Sequence, residues 1–128
     1  MDHIGFLVTD LDRARAFYEA ALAQLGLGLQ MEVPAGLAGP HAHLGYGEGG
    51  KPFFWITGGA DGAGLCLHVA FAAGSRAEVD AFYAAALAAG GRDNGPPGLR
   101  LHYHPHYYAA FVRDPDGHNI EAVCHRPE

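Results

Sequence analysis

HIGFLVTDLDRARAFYEAALAQLG (residues 3–26) and HVAFAAGSRAEVDAFYAAALAAGG (residues 68–91) overlay without a gap, equivalent positions standing 65 residues apart. His3 meets His68, Phe6 meets Phe71, Phe17 meets Phe82, Tyr18 meets Tyr83, Leu22 meets Leu87 and Gly26 meets Gly91. Alanine-rich helices match cheaply, but a histidine, three aromatics and a glycine in step do not. Such self-similarity marks two copies of one supersecondary unit. They divide near 58–64, where GGADGAG supplies a connector.

Each copy has the same internal order. A short apolar run of strand length comes first, at 2–8 and 65–72. Helix-start signals follow: Asp10 as N-cap in the first copy, and Ser75 with Glu78 three residues on, a capping box, in the second. Helices are expected over 11–24 and 76–89, where apolar residues recur at helical spacing. Gly26 and the pair Gly90–Gly91 end them, since glycine enters the left-handed C′ conformation at little cost. Short strands between Gly and Pro punctuation complete each copy, at 27–33, 43–47 and 52–57, then at 99–103, 107–113 and 118–124. The unit is β-α-β-β-β, twice, and the fold class is α+β. A chain of 128 residues suits one domain, with module one over about 1–58 and module two over about 65–125.

Composition narrows the function. A formal charge of −6 argues against nucleic acid and anionic membranes, which need clustered Lys and Arg. Cys66 and Cys124 form neither a disulfide framework nor a zinc-ribbon spacing. No run reaches the roughly 18 apolar residues of a membrane span. A cytoplasmic protein is expected.

An isolated histidine in an apolar strand is ordinarily a hydrogen-bonded core residue. Equivalence under the repeat changes that reading for His3 and His68, because a pseudo-two-fold axis would bring both imidazoles to one shared cavity. Glu121, in the closing strand of FVRDPDGHNIEAVCH (111–125), is the third candidate. A carboxylate in an apolar strand is costly unless paired or bound to a metal. Two imidazoles and a carboxylate suit a divalent transition metal with open coordination positions.

The chain resembles the vicinal oxygen chelate superfamily, which includes glyoxalase I, extradiol dioxygenases, fosfomycin thiol transferases, methylmalonyl-CoA epimerases and bleomycin resistance proteins. DHIGFLVTDLDRARAFYEAAL, LHVAF and FVRDPDGHNIEAV carry the resemblance, over residues 2 to 125. It implies two paired βαβββ modules whose sheets curl around a metal-binding cleft. It also implies His3, His68 and Glu121 as ligands of one divalent ion (Zn, Fe, Mn or Ni). Glyoxalases and epimerases add a fourth ligand on the last strand of module one. Here that strand reads KPFFWIT (51–57), and Trp55 or a neighbour stands in its place. Trp55, Phe54 and Tyr107 are expected to wall a substrate pocket, with His104 or Tyr108 as proton carrier. Phe111 stands where dioxygenases place a tyrosine.

The resemblance further implies a homodimer, with the site built within one chain or between swapped modules. The expected activity is that of a metal-dependent enzyme acting on a substrate with adjacent oxygens, by isomerisation, thiol addition or ring cleavage. The other reading is a bleomycin-resistance-like protein that sequesters a small molecule. His102, His104 and His106 belong to a loop interrupted by Pro105, and His41, His43, His118 and His125 read as exposed. Arg100 and Arg113 are expected at the surface. Asp114–Pro115–Asp116–Gly117 is a structural turn.

Overall fold

The structure, a computed structural model, describes residues 1–62 and 66–128. The last part of the expected connector 58–64 and the start of the expected strand 65–72 lie outside the described residues. The first copy supplies β1 (Ile4–Leu7), α1 (Leu11–Ala23), β2 (Gly28–Val33), β3 (His43–Glu48) and β4 (Lys51–Thr57). The second supplies β5 (His68–Ala72), α2 (Arg76–Ala88), β6 (Arg92–Asp93), β7 (Gly98–Leu99), β8 (Tyr108–Arg113) and β9 (Asn119–Cys124).

Two sheets result, of four and five strands, in the orders β1-β4-β3-β2 and β5-β9-β8-β6 with β7 also on β8. In each, the first strand runs parallel to the last and the other pairs are antiparallel. The α+β class and the doubled unit are as the repeat predicts. The expected strand at 99–103 shortens to β7, because the chain turns at 101–103 before Pro105. β6 forms earlier, at residues for which no strand is expected from the sequence.

The helices begin as the caps require. Arg13 donates its backbone N–H to Asp10 Oδ1 at 3.1 Å, and Glu78 to Ser75 Oγ at 3.2 Å. The reciprocal half of the expected box is shifted: Glu78 Oε2 accepts from Gly74 N, at 2.6 Å, instead of from the N-cap. Gly26 and Gly90 take φ of 75° and 102° just past the helices, and the amides of Leu27 and Gly91 return to the carbonyls of Leu22 and Ala86.

One core lies between the helices and the inner face of each sheet, and it continues from one copy to the other. Phe54 packs at 5.1 Å from Phe71, and Phe6 at 4.7 Å from His118 (ring centroids). Two polar clamps cross the same boundary. Tyr18 donates its hydroxyl to buried Asp114 at 2.5 Å, and Thr9 donates its hydroxyl to Asp116 at 2.5 Å. Asp114 also accepts the amides of Asp116 and His118, so the DPDG turn is structural. With the helices and inner faces packed together, the outer face of each sheet is left open.

Candidate functional site

The register identifies what stands on each open face, since paired residues of neighbouring strands share a face. In the second sheet Ala70 pairs with Glu121, and Phe111 pairs with Glu121 from the other side. His68 and Ala72, two residues either way from Ala70, share that face, and in β5 these three are exposed while Phe71 is buried. Glu121 itself is only 1% exposed. Its Oε2 lies 2.9 Å from His68 Nε2, and its Oε1 accepts a short hydrogen bond from the Tyr107 hydroxyl. Among the described residues no lysine or arginine pairs with it. A buried carboxylate with only an imidazole and a phenol for partners keeps much of its affinity for a cation. Burial, and then the bond to Glu121, pushes the Tyr107 phenol up to about 12.

In the first sheet Gly5 pairs with Trp55, and Gly45 pairs with Trp55 from the other side. His3, two residues before Gly5, immediately precedes β1. Asp2, His3, Gly5, His43, Lys51, Pro52 and Trp55 line a cavity of about 520 Å³ there. His3 Nδ1 lies 2.6 Å from Asp2 Oδ2, and Lys51 Nζ lies 2.7 Å from Asp2 Oδ1. Lys51 first, and then His3, holds the Asp2 carboxyl below its ordinary range. A carboxylate on Nδ1 fixes the tautomer that leaves Nε2 free to bind a metal.

His68 and Glu121 are therefore brought together, while His3 stands in the cavity of the other sheet. Among the described residues, no three His, Cys, Asp or Glu side chains gather closely enough to hold an ion. Tyr107, expected in the pocket wall, reaches Glu121. His104 packs against Tyr107 at 5.4 Å between ring centroids, and its Nε2 lies 2.7 Å from His125 Nδ1.

Two expected site residues stand off the open faces. The Tyr108 hydroxyl donates to Asp80 on α2 at 2.6 Å, so it lies on the helix side of β8, away from Glu121. Phe54 is 1% exposed, within the core against Phe6, Tyr18 and Phe71. Its neighbour Trp55 faces the open side.

His118, expected to be exposed, is buried: its ring packs on Phe6 at 4.7 Å, and its Nδ1 accepts the amide of Leu67. His43 is half-buried, with Nδ1 at 2.7 Å from Thr57 Oγ1. His41 and His125 are exposed as expected. Arg100 lies over Phe111 at 5.4 Å and donates to the carbonyls of Gly98 and Pro96. Both cysteines are free. No helix among the described residues is long and apolar enough to cross a membrane.

Asp2 and the His125 contact escaped the sequence reading. The adjacency of Asp2 to His3 was the available signal for the first. Nothing local signals the second, because it depends on how the 101–107 segment folds back on the end of β9.

Comparison with known proteins agrees with this architecture. The family description Glyoxalase/Bleomycin resistance protein/Dioxygenase superfamily matches residues 1–122. No curated protein matches the chain. Among solved structures, a glyoxalase/bleomycin resistance protein from Albidiferax ferrireducens is 33% identical, with 99% of this chain and 98% of that one covered and a TM-score of 0.75. A glyoxylase/bleomycin resistance protein/dioxygenase domain from Frankia sp. is 19% identical, with 98% and 97% covered and a TM-score of 0.72. A glyoxalase I variant from Zea mays is 22% identical at a TM-score of 0.71, with 96% of this chain covering 46% of that one. The last two, at these identities, speak for the fold alone. By its repeat, its paired sheets and the match over residues 1–122, the chain belongs to the Glyoxalase/Bleomycin resistance protein/Dioxygenase superfamily.

Proposed function

We propose that the protein is a divalent-metal-dependent enzyme, active as a homodimer, on a small substrate that chelates the ion through two adjacent oxygens. His68 and Glu121 hold the ion from the second sheet of one chain, and His3 of the partner subunit completes the set. The observation that carries this reading is Glu121, a buried carboxylate on an otherwise open face with His68 Nε2 at 2.9 Å. Asp2 supports His3 in the same role, because it turns Nε2 outward. The separation of His3 from the other two within one chain favours the arrangement between chains over the one within a chain.

The donor set, two imidazoles and a carboxylate, fits zinc, iron, manganese or nickel. Such an ion supplies Lewis acidity toward the negative charge that develops on the substrate oxygens. The chain's own groups do the rest. Tyr107 donates its hydroxyl to Glu121 Oε1 and thereby orients the carboxylate. His104, beside Tyr107, takes or returns the substrate proton at Nε2, in place of the contact that nitrogen makes to His125 Nδ1, because its Nδ1 accepts the amide of His106.

The test is elemental analysis of protein purified without chelators, for the wild type and for Glu121→Ala. About one ion per chain is expected in the wild type and only traces in the variant, with the fold retained. Full occupancy in Glu121→Ala would break the assignment. A second reading, a protein that sequesters a small molecule, draws on Trp55 beside the 520 Å³ cavity. Protein that neither carries nor takes up metal would make it the leading one.

A further inference from the structure

Trp55 occupies the position in the first half that Glu121 occupies in the second. His3, Gly5 and Trp55 correspond strand for strand to His68, Ala70 and Glu121: in each half the residue two beyond the histidine pairs, in parallel, with the third member. The local packing around the indole is specific. A Cβ on Gly45 would stand 2.8 Å from both Cη2 and Cζ2 of Trp55, closer than real contacts allow. The six-membered ring of the indole therefore lies down over Gly45 on β3 and covers it. On the other flank a Cβ on Gly5 would stand 3.2 Å from Trp55 Cβ. Gly45 thus gives the indole its bed on the sheet, and Gly5 leaves room for the Cβ from which the ring extends. Among the described residues no aromatic ring packs against its other side, and Trp55 lines the same cavity as His3.

We propose that Trp55 is the specificity-determining residue of the site, a preset platform that selects substrates whose adjacent oxygens lie in the plane of a conjugated ring over saturated ones. The proposal rests on the metal-site reading above. A ligand bound at an ion held by His3 enters the cavity that Trp55 lines, and its flat face gains a stacking partner there. Stacking on a ring already held in place costs no ordering of the side chain, so the gain goes to the ligand.

The chain has a single tryptophan, so its emission reports on this position alone. The zinc-loaded protein is titrated with 1,2-dihydroxybenzene and, separately, with lactate, by fluorescence and by calorimetry. Saturable quenching by the aromatic compound is expected. The ratio of the two affinities should fall about tenfold in Trp55→Leu, followed by calorimetry, with zinc stoichiometry unchanged. Gly45→Ala, whose methyl would crowd both the indole and Pro52, should lower the ratio similarly. An unchanged ratio in Trp55→Leu overturns the proposal, whatever happens in Gly45→Ala. If the wild type takes up no zinc, the metal-site reading fails separately. Quenching by 1,2-dihydroxybenzene without metal, with binding lost in Trp55→Leu, would then still support the platform, and no quenching would overturn it too.

Discussion

Gly5 and Trp55 face each other across β1 and β4 as Ala70 and Glu121 do across β5 and β9. The third residue in the row differs in the opposite sense. Gly45 lies beside Trp55 and Phe111 lies beside Glu121. Large next to small in one half becomes small next to large in the other. A copied backbone can thus carry a recognition surface in one half and a ligating group in the other, provided the neighbour gives up or takes up the volume. On the proposed metal-site reading, neither half holds a complete ligand set.

That division makes the sharpest prediction. His3→Ala and Glu121→Ala should each lose tight metal binding. Mixed and allowed to exchange subunits, they should regain about a quarter of the wild-type metal, since half of the dimers are mixed and each of these has one intact site of two. A site within a single chain would regain nothing.

The histidines of the two halves also differ in their second partner. His3 has Asp2, itself held by Lys51, whereas His68 leans directly on Glu121. Asp2→Ala should therefore weaken zinc affinity about 10- to 100-fold, the usual effect of removing an orienting carboxylate, measured by chelator competition. An unchanged affinity would remove His3 from the ligand set or Asp2 from its support.

The repeat is why so much could be read beforehand. His3, His68, both N-caps and both helix-ending glycines are local signals repeated in register. Glu121 stood out because its strand is otherwise apolar. Phase within a strand was harder. Choosing between Tyr107 and Tyr108 requires knowing which face residue 107 takes, and Pro105 breaks the alternation that would set it. Phe54 and Trp55 pose the same problem, both being aromatics in an apolar run, and only the pairing with Gly5 and Gly45 resolves it. His118 was misread because its cover, Phe6, comes from the other half of the chain.

Tyr18 and Tyr83 are repeat mates in different surroundings. The Tyr18 hydroxyl is buried on Asp114, whereas the Tyr83 hydroxyl reaches Asp93 at the surface. Tyr18→Phe should cost about 1–3 kcal/mol in denaturant unfolding, because it deprives buried Asp114 of a donor. Tyr83→Phe should stay within about 0.5 kcal/mol. Burial foremost, and then Asp114, raises the Tyr18 pKa well above its ordinary value. The folded chain thus favours the neutral phenol. That contribution is fully present below the unfolded pKa of about 10 and is lost as pH rises through the folded value. In an alkaline absorbance titration Tyr18 should ionise only as the protein unfolds.

The smallest effects should separate the two helix starts. Asp10 and Ser75 cap α1 and α2 through the same bond to the third helical amide, so replacing either with alanine should cost about 1 kcal/mol. The third helical position itself differs: Arg13 in the first half and Glu78 in the second. Glu78 reaches back to hold Gly74 N at 2.6 Å, where the turn leads into α2, whereas Arg13 reaches back only to the Thr9 hydroxyl, at 3.5 Å. Glu78→Ala should therefore add a loss of about 0.5–1.5 kcal/mol, whereas Arg13→Ala, at an exposed position, should change stability by less than about 0.5 kcal/mol. Equal costs at 13 and 78 would mean that the shifted bond to Gly74 contributes nothing, and that the two helices start alike.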